Sequence, residues 1–114
     1  MTWIVKIERN VEAAHSNGPV GQQCYTVHGH SWHIEVEYRY DEIDEYGWGP
    51  NFADVKKLID ALDHKDLNKL FVRPSSEIIS KWLYEQLQDE LHVKVNWVSV
   101  SEGHGNTVRY YGDE

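Results

Sequence analysis

Polar and apolar residues alternate at the start of the chain. Within Thr2–Val11, Trp3, Val5 and Ile7 oppose Lys6 and Glu8, the period-two pattern of a half-buried strand. Ala13–Gln23 contains Asn17-Gly18-Pro19 and Gly21 and reads as a loop. Alternation returns over His28–Tyr40. There Trp32, Ile34, Val36 and Tyr38 share one face, and His33, Glu35, Glu37 and Arg39 share the other. Asp41–Pro50 is acidic, contains glycine and is turn-like.

The period then changes. Phe52, Val55, Leu58, Ile59 and Leu62 follow helical spacing. Asp63–Pro74 reads as a connection, with Asn68 able to end a helix. Ser75 or Ser76 can cap a second helix that carries Ile79, Trp82, Leu83 and Leu87. Lys94–Glu102 and Thr107–Tyr111 read as two final strands joined around Gly103 and Gly105. The order is strand, strand, helix, helix, strand, strand. It predicts an α+β fold: a four-stranded antiparallel sheet with two helices on one face.

Composition narrows the function classes. With 114 residues, 1–114 is expected to form a single domain with a modest core, which oligomerisation would enlarge. A net charge of −8 argues against a nucleic-acid backbone partner. No apolar run is long enough to span a bilayer, and Met1–Asn10 lacks a signal-peptide pattern. The lone cysteine cannot form an intrachain disulfide, so a cytoplasmic, reducing setting is expected. Five Trp and seven Tyr suit a sheet-on-helix core, a subunit interface or a flat aromatic ligand.

His28 and His30, two apart on a strand, lie on one face and can converge on a metal ion. His15 follows the adjacent strand, and a hairpin would return it toward His28. Three neutral imidazoles with an open fourth position match a catalytic zinc site. Cys24 is either the fourth ligand of a structural site or a base with a lowered pKa beside the metal. Asp63 next to His64 can orient and charge an acid–base imidazole, although a histidine near a helix C-terminus also interacts with the dipole. Glu102, ending a strand, is either an exposed carboxylate or an acceptor for a planar amide-and-amine edge. His33, His92 and His104 show no partner in the pattern and read as solvated surface.

Taken in order, Ala13-Ala14-His15, Cys24-Tyr25-Thr26-Val27-His28-Gly29-His30, Leu62-Asp63-His64, Leu67-Asn68, Pro74-Ser75-Ser76-Glu77 and Glu102 resemble the 6-pyruvoyl-tetrahydropterin synthase superfamily across nearly the whole chain. The three residues between Cys24 and His28 resemble the 6-carboxy-tetrahydropterin synthases of queuosine biosynthesis.

The resemblance implies the tunnelling fold, with sheets joined into an oligomeric barrel, often a hexamer made of two trimers, and active sites between subunits. It implies Zn2+ on His15, His28 and His30, Cys24 as general base, Asp63 and His64 as a second proton-transfer pair, and Glu102 gripping the pterin. The hydroxyl of Ser75, where threonine is common, is implied on the substrate side. The implied reaction converts 7,8-dihydroneopterin triphosphate to 6-carboxy-tetrahydropterin, acetaldehyde and triphosphate. Formation of 6-pyruvoyl-tetrahydropterin by the same groups is the nearest alternative. A zinc-stabilised, non-catalytic pterin-binding module is the alternative of another class. Asn51-Phe52 and Gly103 depart from the usual Asp-Phe and Thr without removing an implied catalytic group.

Overall fold

The computed structural model describes residues 1–16, 28–103 and 105–113, and for His28 the backbone alone. The first two strands, β1 (Trp3–His15) and β2 (His28–Tyr40), pair antiparallel along their whole length, from Trp3 opposite Tyr40 to His15 opposite His28. Helix α1 (Phe52–Asp60) follows, capped by the Asn51 side chain, which accepts the Ala53 N–H at 2.9 Å. A two-residue strand β3 (Lys65–Asp66) leads into a short 3-10 turn, Leu67–Lys69. Helix α2 (Ser76–Leu91) starts at the Ser75 hydroxyl, which accepts the Ile78 N–H at 3.2 Å. Strands β4 (Lys94–Glu102) and β5 (Thr107–Tyr110) finish the described chain.

Among the described residues the sheet has five strands, in the order β3-β1-β2-β4-β5, rather than the four expected. The added strand pairs parallel to β1, Lys65 with Ala13 and Asp66 with Ala14. It forms because His64 adopts a left-handed conformation (φ 58°) that redirects the chain after α1. The His64 N–H then reaches the Glu12 carbonyl at 2.6 Å. Strand β1 also runs beyond Val11 to His15, through residues expected to form a loop. Ala13 and His15 continue its buried alternation, and β2 supplies the ladder partners.

Both helices pack on one face. Helix α1 contacts β1 and α2, and α2 contacts β4 and β5. Val55 and Ile59 of α1 and Ile79, Leu83 and Leu87 of α2 repeat every four residues, so each helix buries one stripe. They meet Ile7, Val11 and Ala13 of β1 and Trp32, Ile34, Val36 and Tyr38 of β2. Strand β4 reaches the same core through a bulge. Glu37 pairs with Trp97 but Tyr38 pairs with Val95, leaving Asn96 as the extra residue. The buried positions therefore change phase, from Val93 and Val95 to Val98 and Val100. Continuing that phase turns Glu102 to the helix-covered face. No helix among the described residues is long and apolar enough to cross a membrane.

Candidate functional site

One end of the sheet gathers polar groups on the helix-covered face. His15, last in β1, is 2% exposed. In the ladder His30 pairs with Ala13 and His28 with His15, while Trp32 pairs with Glu102. Trp32 is buried between these groups. Its ring stands edge-on to His15 and His30, with centroids 4.9 and 5.4 Å away, and its indole N–H donates to the Ala13 carbonyl at 3.1 Å. The apolar stripe of β2 thus supports the histidine cluster from below.

The imidazole of His15 is oriented from behind. Its Nδ1 lies 2.7 Å from the Pro74 carbonyl, just before α2. A carbonyl only accepts, so Nδ1 carries a proton, and in the neutral ring Nε2 presents a lone pair to the site. Glu102 Oε1 stands 3.2 Å from that Nε2, and Oε2 stands 3.9 Å from His30 Nε2. Ligand atoms of His15, His30 and Glu102 all lie within 4.8 Å of one another. Two imidazole nitrogens and a carboxylate oxygen are ordinary zinc ligands, and a backbone carbonyl on the far nitrogen is the usual outer support of a metal-bound histidine. The donor set fits a zinc ion.

Asp63 and His64 lie at the edge of β1. Asp63 Oδ1 accepts the Glu12 N–H at 2.8 Å and stands 3.0 Å from His64 Nδ1. The His64 side chain is 77% exposed. Cys24 lies outside the described residues, and His28 contributes here only its register position beside His15. His104 also lies outside them.

The groups open onto two shallow clefts. One, of about 700 Å³, is lined by Glu12, Gly29, His30, Ser31, His64 and Lys65 among others. The other, of about 510 Å³, is lined by His15, Ser75, Glu102, Asn106 and Thr107 among others. His64 and the Glu102–Ser75 wall therefore line different clefts, with His30 on the first and His15 on the second. Ser75 serves both as the α2 cap and as part of a cleft wall.

Two features escape the sequence pattern. Asn68 binds the backbone of Ser16, next to His15, with both halves of its carboxamide. Its partner is 52 residues away, so no local signal marks it. His33, expected to be solvated without a partner, instead lies 2.7 Å from Asn10 Oδ1 and 3.3 Å from Glu35 Oε1 on the face without helices. Cross-strand register supplies those neighbours: His33 pairs with Asn10. On the same face Glu8 is held below the ordinary carboxylate pKa, first by its hydrogen bond with Glu35 and then by Lys6.

Comparison with known proteins places this arrangement in a family. The chain is 35% identical over 83 residues to a dihydroneopterin monophosphate aldolase of Pyrococcus furiosus, a match covering 68% of this chain and 71% of that one. It is 27% identical over 120 residues to a 6-carboxy-5,6,7,8-tetrahydropterin synthase of Synechocystis, covering 96% and 93%. Its fold is similar to that of 6-pyruvoyl tetrahydropterin synthase from Caenorhabditis elegans, with a TM-score of 0.77, 21% identity, and 99% and 97% of the two chains covered. The model of one enzyme family matches residues 4–113, nearly the full length, so this chain belongs to the 6-pyruvoyl tetrahydropterin synthase family.

Proposed function

We propose that the protein is a zinc-dependent lyase that converts 7,8-dihydroneopterin triphosphate to 6-carboxy-5,6,7,8-tetrahydropterin, acetaldehyde and triphosphate, a step of queuosine and 7-deazaguanine biosynthesis. The observation that carries this reading is the convergence of His15 Nε2, His30 Nε2 and the Glu102 carboxylate within a chain of this family. His15, His28 and His30 would hold the zinc. A bound zinc ion supplies Lewis-acid stabilisation of negative charge on the substrate's side-chain oxygens.

The chain's own residues do the rest. Cys24 removes a carbon-bound proton as general base. His64, oriented by Asp63, moves protons on another side of the substrate, and its exposure leaves it accessible to a bound molecule. Glu102 accepts paired hydrogen bonds from the pterin edge and fixes ring orientation. The Ser75 hydroxyl, on the wall of the Glu102 cleft, adds a polar contact. Division of these groups between two clefts supports a site completed by a second copy of the chain, in a homo-oligomer built as a dimer of trimers whose sheets form a barrel. Each copy contributes 1–114 as one domain, working in the cytoplasm on a small-molecule substrate, without nucleic acid or membrane.

The test is to incubate zinc-loaded protein with 7,8-dihydroneopterin triphosphate and to measure product mass and acetaldehyde. Reduced 6-carboxypterin with acetaldehyde is expected. A pyruvoyl product without acetaldehyde moves the chain to the other synthase activity, and absence of any reduced pterin product overturns catalysis. Cys24→Ala is expected to keep zinc and lose turnover, whereas in a structural site it would lose zinc and stability. A second reading is favoured by the 35% identity to the Pyrococcus furiosus aldolase: cleavage of the side chain of dihydroneopterin monophosphate. Offering the monophosphate separates the two, because only the aldolase reading predicts turnover of it.

A further inference from the structure

We propose that Glu102 is itself a metal ligand in the substrate-free protein, and that a pterin draws it off the metal. The proposal rests on the metal-centre reading above. With Nδ1 of His15 committed to the Pro74 carbonyl, the Nε2 lone pair of the neutral ring faces a carboxylate oxygen 3.2 Å away. Both are acceptors, and two acceptors this close are held together by a cation. A proton would satisfy that single contact. A third donor converges as well, since the other carboxylate oxygen stands 3.9 Å from His30 Nε2. Three convergent donors are an arrangement for a metal ion. The two separations bracket the tetrahedron edge of about 3.3–3.4 Å that zinc–ligand bonds of about 2.0–2.1 Å imply.

The rest of the carboxylate's setting suits a ligand that can leave. The Glu102 side chain keeps 32% of its surface exposed, whereas that of His15 keeps 3%. It ends β4 at Gly103, whose positive φ of 68° turns the chain away. One carboxylate cannot hold both the metal and the amide-and-amine edge of a pterin. When the ring takes Glu102, a coordination position opens at the moment the substrate's side chain arrives. The unliganded site is thereby closed by a charged ligand, and the substrate itself creates the vacancy it needs.

The experiment uses Co2+ as the probe on the full chain, with affinity read by chelator competition and coordination read by visible absorption. Wild type, Glu102→Gln, Glu102→Ala and His15→Ala are compared, each with far-ultraviolet circular dichroism matching wild type. Both Glu102 variants are expected to bind Co2+ about tenfold or more weakly, with an altered spectrum. Pterin lacking a side chain is expected to shift the wild-type spectrum toward that of Glu102→Gln and to leave the variant unchanged. Wild-type affinity and spectrum in both Glu102 variants would overturn ligation by Glu102 while the metal centre stands. An unshifted wild-type spectrum with pterin bound would overturn the exchange. Absence of Co2+ binding in wild type, or wild-type binding by His15→Ala, would instead bring down the metal-centre reading itself.

Discussion

The carboxamide of Asn68 pairs with the backbone of Ser16 as a neighbouring strand would: Oδ1 accepts the Ser16 N–H at 2.7 Å, and Nδ2 donates to the Ser16 carbonyl at 2.9 Å. Asn68 stands in the 3-10 turn after β3, whose entry is itself pinned by Asp66 accepting the Asn68 N–H at 3.1 Å. A side chain on one rigid turn therefore clasps the chain immediately after His15.

Removing that clasp is expected to act on the metal as well as on the fold. Asn68→Ala should cost about 2 kcal/mol of stability, about 1 kcal/mol for each of the two net hydrogen bonds lost. Zinc affinity should fall about tenfold, as for other outer supports of a ligand. Asn68→Asp keeps the acceptor and loses the donor, so it should fall between the two. Chelator competition and thermal unfolding measure both effects.

His64 is held in the left-handed region at a position where glycine would be unstrained. His64→Gly is expected to raise stability by about 1 kcal/mol, because the Cβ penalty disappears while the backbone N–H can still reach Glu12. It should lower kcat by roughly 100-fold or more if the imidazole transfers protons. Denaturant unfolding and steady-state kinetics on one preparation test the pair of outcomes. A variant that gains stability and keeps its rate would remove His64 from the reaction.

Tyr38 carries its hydroxyl into the core, where that oxygen has no hydrogen-bond partner among the described residues. Burial pushes its pKa up from 10.0 to about 12, with Tyr40 adding to the effect. Between pH 10 and 12 the unfolded chain releases this proton and the native chain retains it. Native protein then binds more protons, so stability falls as pH rises through that window. Tyr38→Phe should gain roughly 1 kcal/mol near neutrality by removing an unsatisfied hydroxyl. Its advantage should widen toward pH 11.5, on the order of the Tyr38 shift, as read by urea unfolding at each pH.

Trp32 supports two imidazoles and ties its indole N–H to the backbone of Ala13. Trp32→Phe should destabilise by about 2 kcal/mol, combining lost volume with loss of the indole hydrogen bond to Ala13. It should also weaken zinc binding while the sheet remains formed. Urea unfolding with and without zinc separates the parts: the zinc-dependent increment should shrink in the variant.

The portions legible in the chain were those governed by a repeating period. Alternation from Trp32 to Tyr38 marked β2 at His28–Tyr40, and the capping serine marked the start of α2. The end of β1 was lost because Asn17-Gly18-Pro19 lies so close that its turn signal swallowed Ala13–His15. Strand β3, two residues long, carries no period at all. Within the site, the spacing of His28 and His30 and the Asp63-His64 dipeptide are local facts that a reader of the chain can see. The approach of Glu102 to His15 and the clasp of Asn68 on Ser16 join residues far apart, and only the folded register brings them together.

Asn96 stands outside the reading frame of β4. The ladder passes over it, so the residues on either side keep the faces of a regular strand. Excising Asn96 would close the bulge into a regular ladder and leave Val98, Val100 and Glu102 facing the helices, whereas excising Ser99 would amount to a structural frameshift that delivers Glu102 to the opposite surface, away from the histidines. The carboxylate's address is thus written in the parity of the chain as much as in its own identity. Single-residue insertions or deletions between Trp97 and Glu102 should therefore be more damaging to the site than most substitutions within it.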